Sequence, residues 1–537
     1  MMISPKIQKD IVHCFAMEIL DSILEEIGND VFCLLVDESR DVSSKEQMAV
    51  VLRYVDKYGI VKERFVGLVH VKETTSASLK SYIDALFVKY NLSLKQLRGQ
   101  GYDGASNMRG EFNGLQSLIM RENNSAYYVH CFAHKLQLVV VAVVRKHTGI
   151  GNFFDMISVL LNVVGASSKR KDMIRDINQE HVRKALGCGQ LKTGTGLNQE
   201  LSLQRPGDTR WSSHYKTLKS LVDLFPTIIK VLEYVEKEDK DDKNRRQAFG
   251  LLVYFQSFDF VFYLHLMLTV LTITNSLSLI LQRKDQDIVN AIACVNSTKS
   301  LLGELRRDGW ESVLGEVYAF CDKYDLSKLE MGDDYVNPTK PRQKTGITNQ
   351  HHYEVDCFND VLDWLLQELN TRFNEKTSKL LVYTAALSPR ASFSEFNLEH
   401  LMSLAKLYPN DFNDGELRDL RHHLRLYVAD VQADARFSNI ESIGVLSQKI
   451  VETRKHICYP LVYRLLKLVL VLPVATATVE RCFSAMKIVK SHLRNRIGDE
   501  YLSESLICYV EKRELERVTN DVLINRFQNY KKRRVED

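Results

Sequence analysis

The first 150 residues alternate between short apolar runs and polar turns, in a pattern typical of a β-sheet. Residues 32–36 form an uninterrupted apolar run that stops at acids. Such a run fits a strand buried on both faces, although the spacing alone leaves a buried helical turn open. Residues 47–55 alternate and residues 65–71 return after the turn at 56–59, which together predict a hairpin meander. Helical spacing over residues 4–27 predicts that the chain begins inside a helix.

Further elements follow in an order that alternates helices with strands. Helical spacing begins after Thr74 to Ser76, residues 97–103 are extended, residues 112–120 are helical and residues 126–131 extended again. A very apolar segment over residues 136–144 completes the region. The predicted order β-β-β-α-β-α-β-α indicates an α/β fold with a mixed sheet and helices.

From about residue 150 the strand pattern gives way to helical apolar spacing. Two segments, 187–207 and 331–352, are punctuated by Gly and Pro and are predicted to be irregular. Near the end, Pro473 breaks an apolar run and a new helix is predicted from Thr476 or Thr478. That helix has a predicted buried stripe with Glu480 at its rim, the stripe being Val479, Cys482, Phe483, Met486 and Val489.

Composition narrows the class of protein without identifying a partner. The 537 residues are 45% hydrophobic and 26% charged, with a formal net charge of +4, which neither proves nor opposes a nucleic-acid partner. Ten cysteines without a Cys-x-x-Cys pair fit a reducing compartment. There is no signal-peptide pattern, and the apolar stretch at residues 260–273 is read as too short to span a bilayer. We therefore expect a soluble intracellular protein with no membrane partner and no small-molecule cofactor.

Three acids are the candidate chemistry. Asp37 ends the first predicted strand, Asp103 ends a later one between glycines, and Glu480 lies on the late helix. Taken singly, each has an ordinary structural explanation as a turn or helix acid. If the C-terminal helices pack back on the sheet, the three carboxylates converge on two Mg²⁺ ions, which suits in-line phosphodiester displacement. Asp41 is the nearest competitor to Asp37, and the spacing alone does not choose between them.

Five sequence blocks carry a resemblance to a known family: LLVDESRDVS, GQGYDGASNM, YYVHCFAHKLQL, DTRWSSHY and VATATVERCFSAMKIVKSHLRNRIGDEYLSESLICYV. The chain resembles a hAT-superfamily transposase of the zinc finger MYM-type protein 1-like group. The resemblance implies an RNase H-like mixed sheet interrupted by a large all-α insertion domain. The implied boundaries are 1–148 and 456–520 for the two parts of the core, 149–455 for the insertion, and 521–537 for a basic tail.

The resemblance also implies roles for particular residues. Asp37, Asp103 and Glu480 correspond to the catalytic, metal-binding acids, with Mg²⁺ or Mn²⁺ in a two-ion site. Cys131 and His134 correspond to a Cys-x-x-His element that supports the active site. Two ligands are too few for tetrahedral zinc, and a core cysteine beside a satisfied histidine is the alternative.

Contacts outside the catalytic site follow from the same resemblance. Arg210 and Trp211 correspond to a DNA-binding pair whose tryptophan stacks on an unpaired base, the alternative being a buried core tryptophan. The last block corresponds to a C-terminal dimerisation region, so a homodimer or higher oligomer is expected through Val479, Phe483 and Met486.

The resemblance leaves more than one function open. The first reading is a nuclear transposase-type enzyme that binds transposon-end DNA and cuts and joins it. The second is a domesticated, non-catalytic scaffold or regulator, which the lack of an N-terminal zinc-finger pattern favours, since the chain would then be a truncated gene product or a copy that relies on a partner for targeting. A plain RNase H-like nuclease is a third reading, which the long helical insertion opposes. The basic residues 531–534 are either a nuclear import signal or a solvated terminus.

Overall fold

The structure, a computed structural model, describes residues 4–187, 203, 211–337, 342, 344–373 and 379–530. The chain divides into two compact units. Unit 1 comprises Met1–Lys135, Leu279–Cys294 and Asn374–Asp537, and unit 2 comprises Leu136–Ser278 and Val295–Phe373. The units do not coincide with the boundaries expected from the resemblance, which stay a prediction.

A five-stranded mixed sheet lies in unit 1, as the apolar pattern predicts. Its strands are β1 (Phe32–Arg40), β2 (Glu46–Val55), β3 (Val61–His70), β4 (Leu97–Tyr102) and β5 (Tyr127–His130). The order across the sheet is β3-β2-β1-β4-β5. The meander β1-β2-β3 is antiparallel, whereas β4 and β5 pair in parallel beside β1. The mixed α/β fold class is therefore confirmed.

The helices among these strands also follow the predicted order. They are α1 (Pro5–Ile27), α2 (Ser76–Lys89), α3 (Ser106–Arg109), α4 (Leu115–Glu122) and α5 (Phe132–Lys146). In α1 the Ser4 hydroxyl accepts a hydrogen bond from the Ile7 N–H at 3.3 Å, and proline occupies the first turn. Gly28 ends α1 at a φ of 53°, a conformation that glycine adopts without a Cβ clash.

Unit 2 is built from helices. In chain order they are α6 (Thr148–Gly165), α7 (Ser168–Gly187), α8 (Trp211–Glu238), α9 (Asp242–Phe255), α10 (Phe258–Leu281), α11 (Ile288–Asp308), α12 (Trp310–Tyr324), the π-helix His351–Asn359 and α13 (Asp360–Arg372). The last residues of α10 and the first of α11 belong to unit 1. Within the described part of unit 2, the only β pairing is an isolated bridge between Asp334 and Thr348.

The apolar stretch around residue 265 is longer than the one predicted from the sequence over residues 260–273. It extends over the 24 residues of α10, and both α10 and α6 are long and apolar enough to cross a membrane by length and composition. Within the most apolar window of α10, 56% of the residues are buried inside the protein. The expectation that this stretch is too short to span a bilayer is therefore wrong, although a buried core helix satisfies the same criterion.

The remaining helices return to unit 1. They are α14 (Lys379–Ala385), α15 (Arg390–Phe393), α16 (Leu398–Lys406), α17 (Asp414–Ala433), α18 (Ile443–Glu452), α19 (Lys455–Cys458), α20 (Pro460–Leu470), α21 (Ala477–Val489), α22 (Asp499–Val510), α23 (Lys512–Leu515) and α24 (Asn520–Tyr530). The stripe predicted for α21 is buried and Glu480 is half-buried, as expected.

The C-terminal helices cover the free edge of β3. The backbone N–H of Phe65 donates to Glu511 Oε1 at 2.8 Å, and that of Leu68 donates to Ser503 Oγ at 2.9 Å. Arg64 extends this contact through ion pairs with Glu511 and Glu514. These side chains satisfy an edge that would otherwise offer unpaired donors to another strand. The expected return of the last helices to the first sheet is thus present.

Candidate active site

Asp37 and Asp103 leave neighbouring parallel strands at matching positions. The last paired residues of β1 and β4 are Leu35 and Gly101, and each acid comes two residues later. Because side chains alternate along a strand, each acid follows its own predecessor onto the same face of the sheet. The carboxyl ends of these two strands therefore present two aspartates side by side.

The segment that leads into α21 crosses the same face at very short range. A Cβ built on Gly101 would lie 2.8 Å from Leu35 Cδ2 and 2.9 Å from Pro473 Cβ. Only glycine allows β4 and the Pro473 segment to approach this closely. The close packing brings the first turn of α21, with Glu480, over the sheet.

The charges of Asp103 and Glu480 act on Asp37. Burial, followed by the charges of Asp103, Glu480 and Glu38, raises the pKa of Asp37 from 3.8 to about 7. The hydrogen bond that Asp37 Oδ1 accepts from the Glu38 N–H, at 2.9 Å, opposes this rise. Asp37, Asp103 and Glu480 therefore occupy one neighbourhood of like charge.

Glu38 is a fourth acid that the sequence argument did not single out. Burial, together with the charges of Glu46 and Asp103, raises its pKa from 4.5 to about 7. Asn107 Nδ2 lies 3.5 Å from its carboxylate and donates to the Thr74 carbonyl at 2.9 Å. The available signal was that a second acid directly follows Asp37 in the sequence.

Cys131 ties the sheet to the segment before α21. Its Sγ accepts the Thr476 N–H at 3.3 Å, and the neighbouring Phe132 N–H donates to the Val474 carbonyl at 2.8 Å. The Cys131 side chain is buried, which raises the pKa of its thiol. The thiol therefore positions the start of α21, and its partner in the motif, His134, lies with its ring 5.6 Å from that of His130.

A buried ion pair between Arg53 and Glu63 also contacts the first turn of α21. Arg53 Nη1 donates to Glu63 Oε1 at 2.8 Å, while Glu63 also accepts from the Thr478 hydroxyl. Arg53 Nε donates to the Leu470 carbonyl at 3.0 Å, and its Nη2 donates to Gln286 O at 2.7 Å. The sequence signal for this network was a lone arginine inside the apolar run of β2.

Asp41 is separated from the acid trio by its own partner. Its Oδ2 pairs with Lys490 Nζ at 2.6 Å, and the two side chains are 0% and 1% exposed. Burial alone would raise the pKa of Asp41, but hydrogen bonds from Lys490, Ser43 and Gln47 hold it well below its usual range. A carboxylate satisfied by an ammonium group is a structural anchor, which favours Asp37 over Asp41 as the site acid.

The predicted DNA-binding pair lies partly outside the described residues. Arg210 is not among them, and Trp211 begins α8 in unit 2 with 8% of its surface exposed. Its ring stacks on His214 at 4.2 Å and meets Phe154 edge-on at 5.1 Å. The indole is therefore packed as a core side chain in this conformation, and its contact with DNA stays a prediction.

The three side chains expected at a dimer contact are buried within unit 1. Val479, Phe483 and Met486 are 0%, 5% and 1% exposed. A second copy could not touch them without moving α21, so these residues act as core in the single chain. Large apolar side chains that are exposed nearby are Ile488, Leu493 and Tyr509.

The acids suit a divalent cation by charge but do not form a closed ligand set. In the described ranges, no group of three or more His, Cys, Asp or Glu side chains is arranged to hold a metal ion. Even so, the mutual repulsion at Asp37 is what a hard cation with carboxylate ligands would relieve. Metal binding would require the three side chains to close around the ion.

Comparisons with known proteins match both ends of the chain. Residues 1–114 match the model described as the ZMYM1/FAM200 RNase-like domain, and residues 442–513 match the hAT family C-terminal dimerisation region. A protein named 52 kDa repressor of the inhibitor of the protein kinase, from Mus musculus, is 20% identical over 494 residues, or 89% of this chain and 62% of that protein. Its Homo sapiens counterpart is 20% identical over 493 residues, or 89% of this chain and 61% of that protein.

The chain thus spans about three fifths of the length of these curated relatives. The two domain matches fall on the regions that carry the acids: Asp37 and Asp103 lie in the first, and Glu480 lies in the second. The chain therefore contains a region similar to the ZMYM1/FAM200 RNase-like domain and a region similar to the hAT family C-terminal dimerisation region, which confirms the resemblance to hAT-superfamily proteins expected from the sequence.

Proposed function

We propose that this chain is a hAT-type DDE transposase-derived protein that cleaves and transfers DNA strands with the help of Mg²⁺ or Mn²⁺. Asp37, Asp103 and Glu480 are its catalytic and metal-binding acids. The observation that carries the proposal is the pKa of Asp37, raised to about 7 by burial and by the facing carboxylates. The fold places acids without cationic partners together at the carboxyl ends of β1 and β4, and this arrangement lowers stability. Such a loss of stability is typical of functional sites.

Each acid has a separate structural support for this work. β1 and β4 fix Asp37 and Asp103 through the sheet register, and the segment tied to Cys131 delivers Glu480. Two divalent ions, when bound, would activate the attacking oxygen and stabilise the leaving oxygen of a phosphodiester. The chain's own contribution is to hold three carboxylates on rigid elements around that position.

The proposal includes the architecture and partners expected from the resemblance. The RNase H-like core lies in unit 1, and unit 2 forms the larger part of the all-α insertion domain expected over residues 149–455. We propose that the protein works in the nucleus as a homodimer formed through its C-terminal region, on DNA that includes transposon ends. The described helices of unit 2 and the match at residues 442–513 support the insertion and the dimer respectively.

Nicking of supercoiled plasmid DNA by the purified chain in Mn²⁺ tests the catalytic proposal. Wild-type protein should convert the plasmid to the open circle, whereas Asp37→Asn, Asp103→Asn and Glu480→Gln should each abolish conversion. Glu500→Gln, which removes an exposed acid from the first turn of α22, is the matched control and should nick like the wild type. Equal nicking by the wild type and all three acid variants would refute the assignment.

A non-catalytic role as a nuclear scaffold or regulator is the second candidate. Two observations favour it: both curated relatives are named as repressors, and the described residues contain no closed metal-ligand group. This candidate predicts a stable oligomer in light scattering and no nicking by wild-type protein in either metal. Metal-dependent nicking that is lost in Asp37→Asn would exclude it.

A further inference from the structure

The stretch that follows Glu480 has an unusual charge pattern. Over the whole chain, 72 basic residues nearly balance 68 acidic ones. Between Glu480 and Asp499, however, there is no acid, and five basic residues occur: Arg481, Lys487, Lys490, Arg494 and Arg496. This stretch covers most of α21 and the short 3₁₀ turn His492–Arg494.

Two of the five basic side chains make contacts within the protein. Lys490 is buried against Asp41, and Arg481 Nη2 donates to the Gln282 carbonyl at 2.7 Å. The other three, Lys487, Arg494 and Arg496, are exposed, and none forms an ion pair with any residue that the structure describes. We call these three residues the basic strip.

The basic strip begins close to the candidate acids. Lys487 follows Glu480 by seven residues, which is about two turns, or roughly 10 Å, along the same side of a helix. Ser484, one turn after Glu480, is also exposed. The solvent-facing side of α21 therefore leads from Glu480 to Lys487, with the exposed side chains of Arg481 and Ser484 between them.

The rest of the basic strip is carried on an anchored turn. The buried pair between Lys490 and Asp41 fixes the end of α21, and the 3₁₀ turn starts two residues later. At the tip of that turn Leu493 is 98% exposed. The anchored turn fixes the backbone that carries these cations before they meet a ligand, which reduces the backbone entropy lost on binding.

We propose that the basic strip binds consecutive phosphates of a DNA duplex and leads one strand to the acids of the candidate active site. Lysine and arginine side chains without internal partners are suited to phosphate oxygens, and they gain affinity by releasing counterions from DNA. This inference deepens the proposed function and rests on it only for the destination of the strand. Binding itself requires neither the acids nor a metal ion.

A contact with a second copy of the chain is the competing use of this surface, since residues 442–513 match a dimerisation region. If the axis of a two-fold dimer passes through this stretch, the stretch of one copy faces the same stretch of the other. The basic strip would then meet another basic strip with no acid between positions 480 and 499 to neutralise it. Like charges placed together in this way oppose association. The charge pattern therefore favours a polyanion.

The test is the affinity of the full chain for a 30-base-pair DNA duplex, measured by fluorescence anisotropy in EDTA across a salt series. We expect the triple variant Lys487→Gln, Arg494→Gln, Arg496→Gln to reduce the magnitude of the slope of log affinity against log salt by about 2.7. Each of the three lost phosphate contacts accounts for about 0.9 of this change. At 0.1 M salt the corresponding loss of affinity is on the order of a hundredfold. A matched RNA duplex shows whether the strip prefers DNA or binds both kinds of phosphodiester.

A second triple variant removes the same charge elsewhere in unit 1. Arg421→Gln, Arg436→Gln and Lys449→Gln each lose a cation that is already paired with an acid, and they should leave the slope unchanged. Asp37→Asn should lose nicking and still bind DNA, so loss of nicking and loss of binding are separate results. The proposal is overturned if wild-type protein fails to bind DNA, if both triple variants lose affinity equally, or if the strip variant changes only the oligomer mass in light scattering.

Discussion

Asp41, in the turn after β1, and Lys490, at the end of α21, form an ion pair of 2.6 Å although 449 residues separate them in sequence. Both side chains are excluded from solvent. The pair joins the start of the sheet to the helix that carries Glu480. Since α21 has to be held against β1 for the three acids to meet, this contact is a structural condition for the candidate site.

Breaking one half of this pair should destabilise the protein more than removing both halves. Lys490→Met leaves a buried carboxylate without its cation, and we expect the free energy of unfolding to fall by about 3 to 5 kcal/mol. Urea unfolding monitored by circular dichroism measures the change. In the double variant Asp41→Asn, Lys490→Met, most of the loss should be recovered; a double variant as unstable as Lys490→Met would contradict a specific pairing.

The same pair predicts the acid side of the stability profile. The pKa of Asp41 is lowered in the folded state, so its contribution to stability is present above its unfolded pKa of about 4 and is lost as the pH falls towards the folded value. Wild-type protein should therefore lose stability below about pH 4 more steeply than the double variant. Parallel profiles for the two proteins would rule out this contribution.

Asp37 should have the opposite effect on stability. Its pKa is raised to about 7 in the fold, so its contribution is fully present below the unfolded pKa of about 4 and is lost as the pH rises through 7. In EDTA, Asp37→Asn should be more stable than the wild type at pH 8, by roughly 2 to 4 kcal/mol at about 1.4 kcal/mol per pKa unit. The difference should vanish near pH 4. Thermal melts at the two pH values measure it, and a variant no more stable than the wild type at pH 8 would argue against a cluster of half-buried acids.

Cys131 should prove to be a positioning group and not a reactive thiol. Replacement by Val removes the acceptor for the Thr476 N–H and should cost about 1 to 3 kcal/mol of stability, whereas Ser keeps an acceptor and should cost less. Because burial raises the pKa of the thiol, we also expect slow alkylation by iodoacetamide at pH 8 in folded protein. Fast alkylation before unfolding, or equal loss in both variants, would contradict this role.

The sequence predicted the elements better than it predicted their partners. The run at 32–36 and the hairpin after it became β1, β2 and β3, because strand alternation and turn residues are local properties. The buried stripe of α21 was also predictable from helical spacing. By contrast, Arg53 and Lys490 act through partners distant in the sequence, and no local pattern identifies such a partner.

The candidate site shows the same division. The predicted strand ends identified Asp37 and Asp103, but the proximity of these two acids depends on the parallel register of β1 and β4. The proximity of Glu480 to them depends on the packing of Pro473 against Gly101. From the residues alone, the sequence joined the three acids only on the condition that the C-terminal helices pack back on the sheet, and the resemblance supplied the rest. The predicted dimer residues illustrate the limit, since an apolar stripe has the same appearance whether it packs inside one chain or between two. A charge placed at Phe483 would therefore test the core and not the interface.

Divalent-ion dependence of the thermal midpoint tests the central claim most directly. A ligand that binds only the folded state stabilises it, by about 2.7 kcal/mol at a hundred times its Kd. At pH 8, added Mg²⁺ or Mn²⁺ should raise the midpoint of wild-type protein and of Glu500→Gln, and should leave Asp37→Asn, Asp103→Asn and Glu480→Gln unchanged. A wild-type midpoint that does not respond to either ion, or an equal rise in all five proteins, would contradict a shared metal site formed by the three acids.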